Sequence, residues 1–164
     1  ILGSSTFGAQ LAAHLGLPYA FASHFAPQQL MQAIEIYRAT FQPSAQLAKP
    51  YVMLGFNVFC ADTDEEARFR ASSWQQAFVN LRSGRPGRLP PPVEGYRERV
   101  GPAEAALLDS VLSCSAVGSP QTVRAAVEAF AARTGADELM VTSQVFDHQA
   151  RLRSYELLAG MRQD

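Results

Sequence analysis

Residues 1–25 read ILGSSTFGAQLAAHLGLPYAFASHF, and the architecture can be inferred outward from them. Ile1-Leu2 is the end of an apolar strand, and Gly3-Ser4-Ser5-Thr6 is a turn of small hydroxyl residues. Ser4 or Ser5 is a good N-cap for the helix that follows. That helix carries Phe7, Leu11 and Leu15 on one face and closes at Gly16. After Leu17-Pro18, Tyr19–Ala22 is an apolar segment long enough for a buried strand and too short for a helix. The unit is strand, turn, helix, strand, with polar residues at each strand's carboxyl end.

The same alternation continues outward. Pro27 suits a helix's first turn, with Leu30, Ile34, Tyr37 and Phe41 as one stripe before Pro43. Residues 51–59 form a nearly continuous apolar run, broken only by Gly55 and Asn57, as in a strand covered on both faces. Asp62 or Thr63 caps the next helix, whose first turn holds Asp64, Glu65 and Glu66 at the positive end of the helix dipole. It runs to about Leu81, with Phe69, Trp74, Phe78 and Leu81 as candidate buried residues.

Residues 83–93, SGRPGRLPPPV, form an irregular connection longer than the usual few residues. Residues 103–112 read as a short helix. Ser119-Pro120 opens another, with Val123, Val127 and Phe130 on its inner face and Gly135 at its end. Residues 138–142 are the fourth strand, and Asp147 caps a last helix with Leu152, Tyr155 and Leu158. Four βα units with one insertion imply parallel strands joined by right-handed crossovers. Periodicity alone leaves open an open doubly wound sheet or half of an eight-stranded barrel.

Composition narrows the function. The chain has 164 residues, enough for a single domain with a sizeable core at 48% hydrophobic residues. Lys+Arg 14 against Asp+Glu 15 gives a net charge of -1, with no basic surplus for a nucleic-acid backbone. No apolar run reaches the roughly 20 residues of a membrane-spanning helix, and no signal-peptide pattern opens the chain. Cys60 and Cys114 stand apart, without a metal motif or disulfide framework, and a reduced, cytoplasmic setting is expected. The chain opens inside a strand without an initiating Met, as a piece of a longer protein would.

In parallel α/β folds, ligands sit at the carboxyl ends of strands. The residues to watch are therefore Gly3–Thr6, Ser23-His24-Phe25, Cys60-Ala61-Asp62 and Ser143–Phe146, expected on one face. Gly3 allows close backbone approach, Ser4, Ser5 and Thr6 bring hydroxyls, and the first helix amides point toward an anion. A turn glycine and a capping serine explain the same residues without a ligand. His24 can hydrogen-bond a ligand or move a proton near neutral pH, or serve only the fold. Arg82, Arg85 and Arg88 read as a solvated linker, His14 as a surface residue at its helix's negative end, and Ser119-Pro120 as a helix start explained by capping. The chain has no GxSxG, HExxH, GxxxxGK[ST] or GxGxxG motif.

The stretch LGSSTFGAQLAAHLGLPYAFASHFAP resembles the second half of the bacterial luciferase-like flavin monooxygenases, particularly the single-chain group. PYVMLGFNVFCADTDEEA, AVGSPQTV and GADELMVTSQVFDHQARLRSYELLA follow in that family's order. The resemblance spans nearly the whole chain and is diffuse over residues 83–112, where the family varies. It implies the last four βα units of a (β/α)8 TIM barrel, one domain over residues 1–164 with a variable insertion at 83–112. It implies reduced FMN, or in a related branch the deazaflavin F420, reacting with oxygen to oxidise a small organic substrate, with a separate flavin reductase as candidate partner.

The flavin phosphate would dock on Gly3, Ser4, Ser5 and Thr6, completed by the amides of Phe7 and Gly8, and His24 is the candidate catalytic residue. No metal is expected. Rival readings are a non-catalytic flavin binder of the same fold and a phosphate-binding enzyme of another class, such as a sugar-phosphate isomerase. Four strands taken from a closed barrel would leave open edges and an uncovered apolar face, covered either by the missing amino-terminal half or by a dimer of half-barrels.

Overall fold

A computed structural model describes residues 1–161. In chain order the elements are β1 (Leu2–Gly3), α1 (Thr6–Leu15), β2 (Tyr19–Phe21), a 3-10 turn at Pro27–Gln29, α2 (Leu30–Thr40), β3 (Val52–Cys60), α3 (Asp64–Arg82), α4 (Tyr96–Arg99), α5 (Pro102–Leu112), β4 (Ser115–Gly118), α6 (Pro120–Thr134), β5 (Glu138–Thr142) and α7 (His148–Gly160). The alternation expected from the sequence is present, and every pairing with a recorded register is parallel. The chain divides into two compact units, residues 1–56 with 129–141, and residues 57–128 with 142–164.

In the first unit β1 pairs with β2, β2 with the leading half of β3, and β5 with β3. Leu2, Ala20 and Met53 stand in register, as do Gly3, Phe21 and Leu54. Side chains alternate across a strand, so each row lies on one face of the sheet. Tyr19, Phe21, Val52 and Leu54 are buried beneath the helices. The Tyr19 ring packs against Tyr37 of α2 and lies 3.5 Å from the point where a Gly8 Cβ would stand on α1.

Helix α1 turns a different face to the core than its large residues suggest. Gly8, Ala9, Ala12 and Ala13 are buried, while the stripe Phe7, Leu11, Leu15 is exposed, with Phe7 at 71%. Small residues let the helix backbone approach the strands, and Tyr19 fills the space they leave. Gly16 ends the helix in the left-handed region at φ 62, where the Gln42 carbonyl oxygen leaves no room for a Cβ. On α2, Leu30, Ile34 and Tyr37 are buried, as the stripe requires.

In the second unit the trailing half of β3 pairs with β4, Asn57 opposite Ser115 and Cys60 opposite Gly118. The sequence reading lacks β4, because four residues between two helices are too few to show a period. Trp74 and Phe78 of α3 stack at 5.2 Å and pack with Phe59, Leu108 and Val111. Phe69 is half-buried and Leu81 is exposed, so the inward face of α3 ends before its last turn. Thr63 caps α3 by accepting from the Glu66 amide, and Asp147 caps α7 by accepting from Ala150. The 83–112 insertion is an exposed loop followed by α4 and α5. Arg82 lies over the Phe78 ring, and Arg85 and Arg88 stand in solvent.

Candidate functional site

The first unit assembles the turn after β1 beside the turn after β2. Gly3 donates no side chain to the junction; its carbonyl accepts from the Ala22 amide at 2.9 Å, which sets the Ser4-Ser5 turn alongside Ser23-His24. Ser5 occupies the N-cap position of α1 in an extended conformation, φ -143 and ψ 165, yet its side chain makes no capping hydrogen bond. The amides of Thr6, Phe7 and Gly8 lie in the first turn, where an α-helix supplies no acceptor of its own. No acidic residue sits in that turn.

A buried tyrosine holds this turn in place. The Tyr19 hydroxyl donates to the Ser5 carbonyl at 3.0 Å, and burial pushes its pKa up to about 12, so it remains a donor at any physiological pH. Gly3 and Gly8 pack together, a Gly3 Cβ falling 3.7 Å from the Gly8 Cα. The result is a fixed cluster of amide and hydroxyl donors at the positive end of a helix dipole, which fits an anionic group such as a phosphate ester.

His24 belongs to the same unit and is held from below. The Ser23 hydroxyl donates to the Gly55 carbonyl at 2.6 Å, and the His24 ring lies over Gly55 itself, in space a Cβ would occupy. Burial lowers the His24 pKa, so the imidazole is neutral near pH 7 and can exchange a hydrogen bond without carrying charge. Phe25, next in the chain, is exposed.

In the second unit the strand-end residues are tied to one another. The Ser154 hydroxyl accepts from the Cys60 amide at 3.0 Å and from the Ser143 hydroxyl at 3.0 Å, and the Tyr155 hydroxyl accepts from the Ser143 amide at 2.8 Å. Arg153 reaches Asp62 at 2.8 Å across an exposed surface. Cys60 is buried, and its thiol is pushed up to about 11 by that burial and then by Asp62, so it is no nucleophile at neutral pH. Asn57, fully buried in mid-strand, accepts from Thr142 at 2.7 Å and donates toward Ser115 at 3.4 Å.

Ser119-Pro120 is closed to an outside anion. The Asp64 carboxylate already sits at the start of α6, accepting from the Ser119 amide at 2.6 Å and the Thr122 hydroxyl at 2.9 Å. The amide bond to Ser119 holds its pKa below the usual carboxylate range, helped by Thr122. No sequence signal pairs residues 55 positions apart, so this lock was illegible in the chain. His148 opens α7 with its Nδ1 3.1 Å from Arg151, and His14 lies in the last turn of α1. Among the described residues no group of three or more His, Cys, Asp or Glu is placed to hold a metal, and no helix is long and apolar enough to cross a membrane.

Comparison with known proteins converges on one family. The model of the luciferase-like monooxygenases matches residues 1–138. A luciferase-like monooxygenase of Escherichia coli (strain K12) is 49% identical over all 164 residues, which cover 49% of its length. Among solved structures, apo-MsnO8 superposes with a TM-score of 0.81 at 35% identity, covering 99% of this chain and 49% of that one. The oxygenating constituent of 3,6-diketocamphane monooxygenase from Pseudomonas putida, a type II Baeyer-Villiger monooxygenase in complex with FMN, superposes at 0.58 with 24% identity over 96% of this chain and 45% of its own. The chain thus spans about half the length of these relatives.

Proposed function

The chain belongs to the luciferase-like monooxygenase family, and from that membership we propose that it carries the phosphate seat of a flavin-dependent oxidoreductase that uses reduced FMN and oxygen to oxidise a small organic substrate. The observation that carries the reading is the start of α1, where amides and hydroxyls stand uncapped at the carboxyl end of a parallel strand. That is where parallel α/β proteins bind their ligands.

In this reading the Thr6, Phe7 and Gly8 amides and the Ser4, Ser5 and Thr6 hydroxyls hold the phosphate. Tyr19 fixes the turn through the Ser5 carbonyl, so the donors need no rearrangement when the anion arrives. His24, neutral and half-buried against Gly55, offers a hydrogen bond to the ligand beside the seat. Bound reduced flavin would supply the reaction with oxygen, while the protein orients it and excludes water. This division of labour asks for no catalytic triad.

The fluorescence of FMN and of riboflavin, titrated separately with the protein, tests the seat. The two differ only in the phosphate, so the expected result is FMN bound at least about tenfold tighter, the scale of charge-assisted hydrogen bonds. Equal affinities would remove the phosphate seat from this turn. A parallel titration with F420 separates the two cofactor branches.

A further inference from the structure

We propose that a cleft in the second unit, between α3 and the segment 93–98, binds a small organic cation, an aryl or alkyl primary amine. None of its residues belongs to the phosphate seat, so the inference stands apart from the flavin reading.

Gln75 carries the inference. Spacings of three and four residues set Glu65, Phe69, Ser72 and Gln75 on one face of α3. That face is one wall of a cleft of about 210 Å³. Gln75 is 5% exposed, and its carboxamide Oε1 has no hydrogen-bond partner among the described residues. Ala71, Trp74, Phe78 and Val79 of the same helix are buried apolar residues, a setting in which an unsatisfied carbonyl costs stability and a leucine would cost none. A polar group kept there without a partner calls for one from outside the chain. The terminal amide turns about its soft χ3, so the oxygen can be presented to the cleft.

The opposite wall is pinned in place. The Ser72 hydroxyl donates to the Phe69 carbonyl at 2.6 Å and accepts from the Val93 amide at 2.8 Å. Gln76 Nε2 donates to the Pro91 carbonyl at 3.0 Å. Gly95 turns the chain in the left-handed region at φ 58, and Arg97 is tied to Asp109 of α5. A cleft fixed in this way binds without first being ordered.

Charge and shape name the ligand. Arg97 is occupied by Asp109, and Arg68 interacts with Asp64. Glu65, Glu94 and Glu98 also line the cleft and form no salt bridge among the described residues, which leaves a surplus of negative charge. No three acidic residues among those described are placed to share a metal ion, so the cation that fits is an organic one. Its ammonium supplies the donor that Oε1 lacks, and the half-buried Phe69 and Tyr96 rings supply apolar and cation-π surface. The volume equals that of about seven waters, room for a ligand of about eight heavy atoms.

Isothermal titration of the protein with benzylamine, benzyl alcohol and benzoate tests the site, because the three share a ring and differ in charge. Benzylamine should bind saturably with a Kd below about 1 mM, at least about tenfold tighter than the other two. In Gln75→Leu that affinity should fall about tenfold while the urea midpoint stays or rises, the unsatisfied carbonyl being gone. In the double variant Glu94→Gln with Glu98→Gln, both exposed, benzylamine should weaken about threefold and benzyl alcohol not at all. Absence of saturable benzylamine binding overturns the proposal, as do equal affinities for the three probes or an affinity indifferent to Gln75→Leu. Tighter binding of benzoate overturns it and assigns the cleft to Arg68. A lowered urea midpoint in Gln75→Leu also overturns it, because the carboxamide then serves the fold.

Discussion

The His24 ring occupies the space in front of Gly55: a Cβ at Gly55 would stand 1.9 Å from Nδ1 and 2.8 Å from Cε1. A break in the apolar run of β3 is therefore the floor under the candidate catalytic histidine. The adjoining Ser23 hydroxyl, bonded to the Gly55 carbonyl, pins the same turn to the same residue.

Gly55→Ala should consequently displace the ring and lower stability by about 1–3 kcal/mol, the cost of overfilling a packed site. Chemical denaturation measures the loss. The double variant Gly55→Ala with His24→Ala should recover most of it, because the clash then has no second partner. If the loss persists in the double variant, the ring is not what constrains Gly55.

Burial also makes the fold sensitive to pH through His24. The native pKa lies below the ordinary value near 6.5, so between the two the unfolded chain binds more protons. Stability then rises with pH and is complete above about 6.5; it declines as pH falls below that value toward the native pKa. Urea midpoints measured from pH 5 to 7.5 should show this slope in the wild type and a shallower one in His24→Gln. Identical slopes would mean that the ring titrates in the folded protein as it does in the unfolded chain.

Ser154 supplies a prediction in the second unit. It is buried, and its hydroxyl satisfies both the Cys60 amide and the Ser143 hydroxyl. Ser154→Ala strands those donors without water, at a cost of about 1–3 kcal/mol. Hydrogen exchange at the Cys60 amide should accelerate in the variant. Unchanged exchange would show that another acceptor serves that amide.

The order of elements was legible because strands and helices announce themselves through period and through their ends: Gly16 closes α1, Thr63 is the one of the pair Asp62 and Thr63 that caps α3, and Asp147 caps α7. The orientation of α1 was not. Hydropathy favours Phe7, Leu11 and Leu15, whereas packing against Tyr19 favours the smallest residues, and no property of single residues reports that choice. Asn57 and Gly55 were visible as interruptions in β3, but their reasons, Thr142 and Ser115 for one and His24 for the other, lie on other elements. The small-residue turn at Ser4-Ser5 and the helix start behind it could be read from their residue types. The closure of the similar Ser119 turn by Asp64 depended on tertiary structure alone.

Ser5→Asp separates a phosphate seat from an ordinary helix start, because the two roles respond with opposite sign. Asp is as good an N-cap as Ser, and its charge complements the positive end of the helix dipole. Ser5 makes no capping bond, so the fold should be unharmed or more stable by up to about 1 kcal/mol. The same carboxylate would face the phosphate at a few ångströms, where like charges repel by about 1–4 kcal/mol. FMN affinity should then fall by about tenfold or more, while riboflavin, without the phosphate, binds as before. If FMN and riboflavin weaken together, the variant has damaged the pocket at large. If neither weakens, the amides of α1 hold no phosphate, and the hydroxyl turn serves only to start the helix.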